Sequence, residues 1–215
     1  MKLHFVCTGN LLRSVLCERL AVEKSPVILG EAARELEVSS SGLEADPGHP
    51  AHPDCELALE KLGLACVIPA PARTTEEIVS GADLVTAMTR QQCYVLASRF
   101  PEHRRKLFSL VETNGAIETL MDGRPSPGQA ESSGALNRAA RALRQARRET
   151  MRPLPGVPMD TRQLMTLFGP CFYQVSGIHD PMGGTRDEVE RCARLLEREI
   201  TKLLEGLLAL GLQTP

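Results

Sequence analysis

The chain has 215 residues, 42% hydrophobic and 24% charged, the balance of a folded globular protein and not of a disordered or fibrous one. Lys and Arg number 25 against 27 Asp and Glu, a formal charge of −2, so nothing global draws it to nucleic acid or an anionic membrane. Aromatics are 3% with no Trp, which speaks against a stacking platform for single strands, and no apolar run approaches the ~20 residues that cross a bilayer.

The length fits one domain carrying an insertion. The start, Met1 to Cys7, turns to Gly9-Asn10 too soon for a signal-peptide core, and the expectation is a cytoplasmic protein. Seven cysteines, Cys7, Cys17, Cys55, Cys66, Cys93, Cys171 and Cys192, form no C-x-x-C pair, so reduced thiols are the default. Most should be small buried hydrophobes.

Leu3 to Val6 reads as a short buried strand ending at Thr8-Gly9-Asn10. From Ser14 the apolar positions recur at helical spacing until Ser25-Pro26 interrupts. Val38 to Ser41 reads as a second strand, and Asp46 to Pro53 as a proline-broken loop. A helix follows from Asp54 and stops at Gly63. Thr74-Thr75-Glu76-Glu77 is a capping signal. Asp83 to Met88 is the next strand, a helix spans about Gln91 to Phe100, and Leu107 to Leu110 is the last strand. Apolar strands alternating with helices indicate a parallel α/β sheet. From Gly115 the character changes, and 115–172 reads as a helical and proline-rich insertion within a single domain 1–215. Its helix, Ala135 to Glu149, carries Arg138, Arg141, Arg144, Arg147 and Arg148 on a solvated face. Asp187 to Leu210 is a long closing helix.

Cys and Arg stand six apart three times: Cys7–Arg13, Cys93–Arg99 and Cys192–Arg198. The last two lie inside helical patterns, where the amides are already occupied. Around Cys7 the strand ends, Gly9 and Asn10 accept the positive φ that curls a loop, and a helix begins. Successive amides of the loop then face one concavity suited to a tetrahedral oxyanion, closed by the two-pronged Arg13. The same field favours a thiolate nucleophile at Cys7, with Ser14 placed to donate to it. Far downstream, Asp180 in His179-Asp180-Pro181-Met182-Gly183-Gly184 is the candidate general acid, with room for a substrate left by the two glycines. His49, His52 and Cys55 with Asp46 have a metal-like spacing, but the interleaved prolines oppose fixed ligand geometry, and no metal or other cofactor is expected.

Together the Cys7 loop and the late Asp-Pro resemble the low-molecular-weight protein tyrosine phosphatase family, as do Ser41-Gly42 and the stretch from Ala82 to Arg90. The resemblance covers about 1–112 and 173–205. It implies a flavodoxin-like three-layer fold with four parallel strands. It further implies Cys7 as the phosphocysteine-forming nucleophile, Arg13 as the phosphate clamp, the amides of Thr8, Gly9, Asn10, Leu11, Leu12 and Arg13 as the phosphate cradle, Ser14 as the thiolate's donor and Asn10 as keeper of the loop shape. Asp180 is then the acid, and afterwards the base for water. Leu12 stands where the family often has a second cysteine, so that disulfide switch is missing. Met182-Gly183 replace the family's tyrosines, and Leu11 is aliphatic as in tyrosine-directed members, where protein-arginine phosphatases have Thr. The expected substrate is a phosphorylated protein, with phosphotyrosine preferred and phosphoarginine or a small phosphate ester open. Thioredoxin-coupled arsenate reductase and a phosphate-binding module without turnover are the alternatives. The number of chains in the assembly is left open.

Overall fold

The computed structural model describes residues 1–50, 52–65, 67–122, 134–149 and 177–213. Strand β1 (Lys2–Cys7) is followed by α1 (Arg13–Leu29), a 3-10 turn (Gly30–Glu35) and β2 (Glu37–Gly42). Next come α2 (Pro53–Lys61), α3 (Glu76–Gly81), β3 (Leu84–Ala87), α4 (Arg90–Arg99) and a second 3-10 turn (Pro101–Lys106). Then follow β4 (Leu107–Ser109), α5 (Leu110–Met121), α6 (Ala135–Glu149) and α7 (Arg186–Gln213). The four strands lie in the order β2-β1-β3-β4, all parallel, with Cys7 opposite Gly42 and Val6 opposite Ala87. This is a flavodoxin-like sheet. Its chain order reverses between β1 and β3, and in such sheets ligands collect at the carboxyl ends of the strands beside that point.

Alternation along the strands sorts the core into two layers. Leu3, Phe5 and Cys7 of β1, Leu84 of β3 and Phe108 of β4 face the layer built from α1, α2, α5, α6 and α7. Val6, Val85, Ala87 and Leu107 face α3 and α4. His4 lies on β1 under a polar seam: its ring nitrogens are 2.8 Å from Ser39 Oγ and 2.7 Å from Ser41 Oγ. Burial without a charged partner lowers its pKa to about 4.

Three local expectations are corrected. Pro26 does not stop α1, which runs on to Leu29. Proline leaves the carbonyl four residues earlier without its N–H, and here the Ser25 hydroxyl donates to that oxygen, Val22 O, at 3.2 Å. Leu110 leaves the last strand because Ser109 caps α5, its Oγ accepting from Glu112 N while the Glu112 side chain accepts from Ser109 N. Position 115 is no boundary, since α5 passes through it. Helix α6 buries Leu136, Ala139, Ala140 and Leu143 in the same cluster as Leu203, Leu204 and Leu207 of α7, so it extends the thicker layer. Of its arginines, Arg138 donates to Gly211 O and Arg144 to Asp83 O, which leaves the face less uniformly solvated than expected. The rest of the expected insertion, 123–133 and 150–172 (Cys171 included), and Cys66 lie outside the described residues.

Candidate active site

Cys7 closes β1 in the centre of the sheet and is 3% exposed. The chain then curls at Asn10, whose φ of 54° is the left-handed conformation that Asn tolerates better than branched residues. Gly9, expected to share that role, does not have a positive φ. A Cβ there would come 3.2 Å from the Leu11 side chain, which folds back over it. The Asn10 amide holds the curl from three sides. Its Nδ2 donates to Ser14 Oγ and Ser40 Oγ, each at 2.9 Å, and its Oδ1 accepts from Ala72 N at 2.9 Å. The loop rests on the end of β2, where Leu43 N donates to Cys7 O and Glu44 N to Thr8 O. Only glycine fits at Gly42, because a Cβ would stand 2.6 Å from Asn10 N and 2.7 Å from Thr8 O.

The Cys7 sulfur has two donors. Asn10 N points at Sγ from 3.2 Å, and Ser14 Oγ lies 3.0 Å away. Ser14 Oγ already accepts from Asn10 Nδ2, so its own proton goes to Sγ or to Ser41 O, which is farther at 3.4 Å. The shorter contact assigns it to sulfur. Helix α1 starts at this loop with Leu12 as its N-cap, without a side-chain cap and with no acidic residue in its first turn. Its N-terminal donors are thus left for an anion.

Arg13, 4% exposed, spans from this loop to the one carrying Asp180. One guanidinium nitrogen donates to Ile178 O at 3.0 Å, and another pairs with the Asp180 carboxylate. The Asp180 loop is fastened to the end of β3 by the Ile178 N to Met88 O bond at 2.8 Å and by an antiparallel bridge between Thr89 and Gly177. Gly177 has φ 153°, and a Cβ there would lie 2.5 Å from Met88 O, so the close approach needs glycine. Met182 N closes a short turn on Asp180 Oδ1 at 3.3 Å. Room does exist beside Gly183 and Gly184, in a cavity of about 450 Å³ that Cys192 and Leu195 of α7 also line. None of residues 7–14 lines it, so this space is on the α7 side of the loop and not over Cys7.

The sequence model of the family described as low molecular weight phosphotyrosine protein phosphatase matches residues 2–165. The chain belongs to that family. Among its relatives is a protein-arginine-phosphatase of Bacillus subtilis, 38% identical over 112 residues, covering 52% of this chain and 71% of the relative. Another is a low molecular weight protein-tyrosine-phosphatase of Acinetobacter johnsonii, 26% identical over 110 residues, 51% of this chain and 72% of the relative. In fold the chain is similar to a low molecular weight protein tyrosine phosphatase of T. tengcongensis (TM-score 0.60, 24% identity, 95% and 98% of the two chains). It is also similar to a cysteine-to-serine mutant of the YwlE arginine phosphatase with a phosphorylated active-site serine (TM-score 0.59, 23% identity, 95% and 94%). These phosphatases are hydrolases.

Within this phosphatase, the structure brings Cys7, Arg13, Ser14 and Asp180 to one edge of the sheet. Leu12 is different: its side chain is 2% exposed and buried in the core, so only its backbone borders the loop. Thr8 is exposed, Leu11 half-buried at the rim, and His179 exposed. His49 and His52 do not converge with Cys55, which is fully buried. His49 pairs instead with Asp46 at 2.9 Å, and His52 Nδ1 caps α2 through Asp54 N. Among the described residues no three His, Cys, Asp or Glu side chains are grouped to hold a metal ion. No helix among them is long and apolar enough to cross a membrane. Sequence reading missed Ser40, the Ala72 amide and Gln92. The first two become partners of Asn10 only when β2 and the 70s loop come alongside. Gln92 had a local signal, Thr89-x-x-Gln92, which is a capping box.

Proposed function

We propose that this chain is a cysteine-dependent protein phosphatase acting on phosphotyrosine through a phosphocysteine intermediate, without a metal or other cofactor, in the cytoplasm. The observation that carries the reading is a buried sulfur with two donors aimed at it, an uncapped helix end after its loop, and an Arg13 guanidinium that pairs with the Asp180 carboxyl. In the first step Cys7 Sγ attacks phosphorus and the bond to the leaving oxygen breaks. Asp180, entering the step as the neutral carboxylic acid, protonates that oxygen and is left as the carboxylate, while Arg13 and the loop amides hold the other three. In the second step Asp180 takes a proton from water, the water oxygen displaces sulfur from phosphorus, and inorganic phosphate leaves. The sulfur returns as an anion to the donors at Asn10 N and Ser14 Oγ. The same guanidinium pairs with Asp180 and receives the phosphoryl oxygens. Phosphate therefore competes with Asp180 for Arg13, and the carboxyl, released from the guanidinium and protonated, faces the leaving group.

Phosphotyrosine is preferred because Leu11 at the rim and the exposed Met182 beside Asp180 offer apolar walls for a ring and no acceptor for a guanidino group. Phosphoarginine is the second reading, favoured by the 38% identity to the Bacillus subtilis enzyme. Steady-state hydrolysis of p-nitrophenyl phosphate without added metal is the first experiment. Cys7→Ser is expected to remove turnover, at least about a thousandfold, and Asp180→Asn to lower kcat about a hundredfold or more. Turnover surviving in Cys7→Ser overturns the mechanism. Phosphate binding without turnover in the wild type makes the protein a binding module, and thioredoxin-dependent arsenate reduction makes it a reductase. Matched peptides then separate the substrates: the wild type is expected to favour phosphotyrosine, and Leu11→Thr to shift the ratio toward phosphoarginine.

A further inference from the structure

Gln92 is 93% shielded and sits at the third position of α4, and its side chain reaches beyond the capping box of that helix. Its Oε1 accepts from both Met88 N and Thr89 N at 3.0 Å, which fixes the amide the right way round, since the nitrogen end has no acceptor for those two protons. Its Nε2 is thereby turned toward the phosphate loop and donates to Thr8 Oγ1 at 3.1 Å. The consequence falls on Thr8. Its oxygen receives a proton from Gln92, and among the described residues its own hydroxyl proton has no acceptor. Thr8 is exposed, directly follows Cys7, and belongs to the loop whose amides face the oxyanion in the reading above.

We propose that Gln92 is a positioning residue that holds the Thr8 hydroxyl as a further donor to the phosphoryl group, supplementing the loop amides and Arg13. The proposal rests on the phosphatase reading for its meaning in turnover, but its core statement concerns oxyanion affinity. The hydroxyl adds a neutral donor to a charged acceptor, and a bond of that kind is worth about a tenfold change in binding. Gln92 also joins the two halves of the site, because the Asp180 loop is fastened to Met88 and Thr89, the residues its Oε1 holds.

Gln92→Glu isolates the effect. A carboxylate still accepts from Met88 N and Thr89 N, but it takes the Thr8 proton and leaves no hydroxyl donor for the ligand. Thr8→Val removes the hydroxyl at nearly constant shape. Titration of wild type, both single variants and the double variant with vanadate and with inorganic phosphate is the test, with melting curves and the pH dependence of Cys7 alkylation recorded alongside. Each single variant is expected to bind vanadate about tenfold more weakly. The double variant should be no weaker than the worse single one, and the alkylation profile should stay in place. Wild-type affinity in Gln92→Glu, additive losses in the double variant, or a displaced alkylation profile would each overturn the proposal. If Gln92→Glu does not fold, Thr8→Val alone decides by whether vanadate affinity falls. A wild type that binds vanadate but hydrolyses nothing refutes the phosphatase reading and leaves this test intact.

Discussion

Helices α1 and α4 begin at the same edge of the sheet, each after a parallel strand, and they treat their first turns in opposite ways. At α4, Thr89 Oγ1 accepts from Gln92 N and the Gln92 side chain accepts from Thr89 N, so the end is closed by its own chain. At α1 the cap is Leu12, with no side-chain bond and no acid in the first turn. A helix end left open in the interior is unfavourable unless something else satisfies it. The proposed phosphate site is the end that local capping does not close, and the closed end beside it sends the Gln92 side chain to Thr8 in the loop that leads into the open one.

The same contrast separates the cysteines. Cys93 and Cys192 share the spacing to arginine with Cys7, but they lie inside α4 and α7. Burial pushes the Cys192 thiol up to about 11, with Arg13 opposing and Asp180 adding to the rise, so at neutral pH it remains protonated. Cys17, wholly buried in α1, is raised by the same cause. Spacing alone therefore says little; what matters is whether the amides between the two residues are already used.

The contrast can be broken from either side. At the open end, Arg13→Lys replaces a two-pronged donor by a point charge, and kcat/KM for p-nitrophenyl phosphate is expected to fall on the order of a hundredfold. At the closed end, Thr89→Ala removes a cap, and urea unfolding should show a loss of about 1 kcal/mol. A pH-dependent effect comes from beneath the site. His4 is buried neutral, with a pKa lowered from 6.5 to about 4. The unfolded chain binds the proton more readily than the fold does in that interval. Stability is therefore complete above about pH 6.5 and declines as pH falls toward 4. His4→Gln keeps the hydrogen-bonding capacity without titrating, so its melting temperature should fall less over the same window.

Much of this was readable from sequence because it is local. The strand, the Gly-Asn turn and the helix start lie within a few residues of Cys7, and the Asp-Pro step announces its own loop. Partners that only folding brings together were not readable. Asn10 meets Ala72 and Ser40 across separate elements, and Arg13 reaches Ile178 O over 165 positions. Pro26 was misread for a different reason, since the Ser25 hydroxyl repairs the missing bond that makes proline a stop. Leu12 was assigned to the site through its backbone amide, and the burial of its side chain in the core, which its place in the loop did not announce, leaves that amide at the loop.

The central claim is that the Cys7 sulfur takes the phosphoryl group. Alkaline quenching of the enzyme during turnover of p-nitrophenyl phosphate, followed by mass spectrometry of the peptide containing residues 3–13, tests it directly. One added phosphoryl group on Cys7, present also in Asp180→Asn and stable to mild base, is the predicted result. Turnover with that peptide unmodified, and phosphate found on another residue or on none, would contradict it.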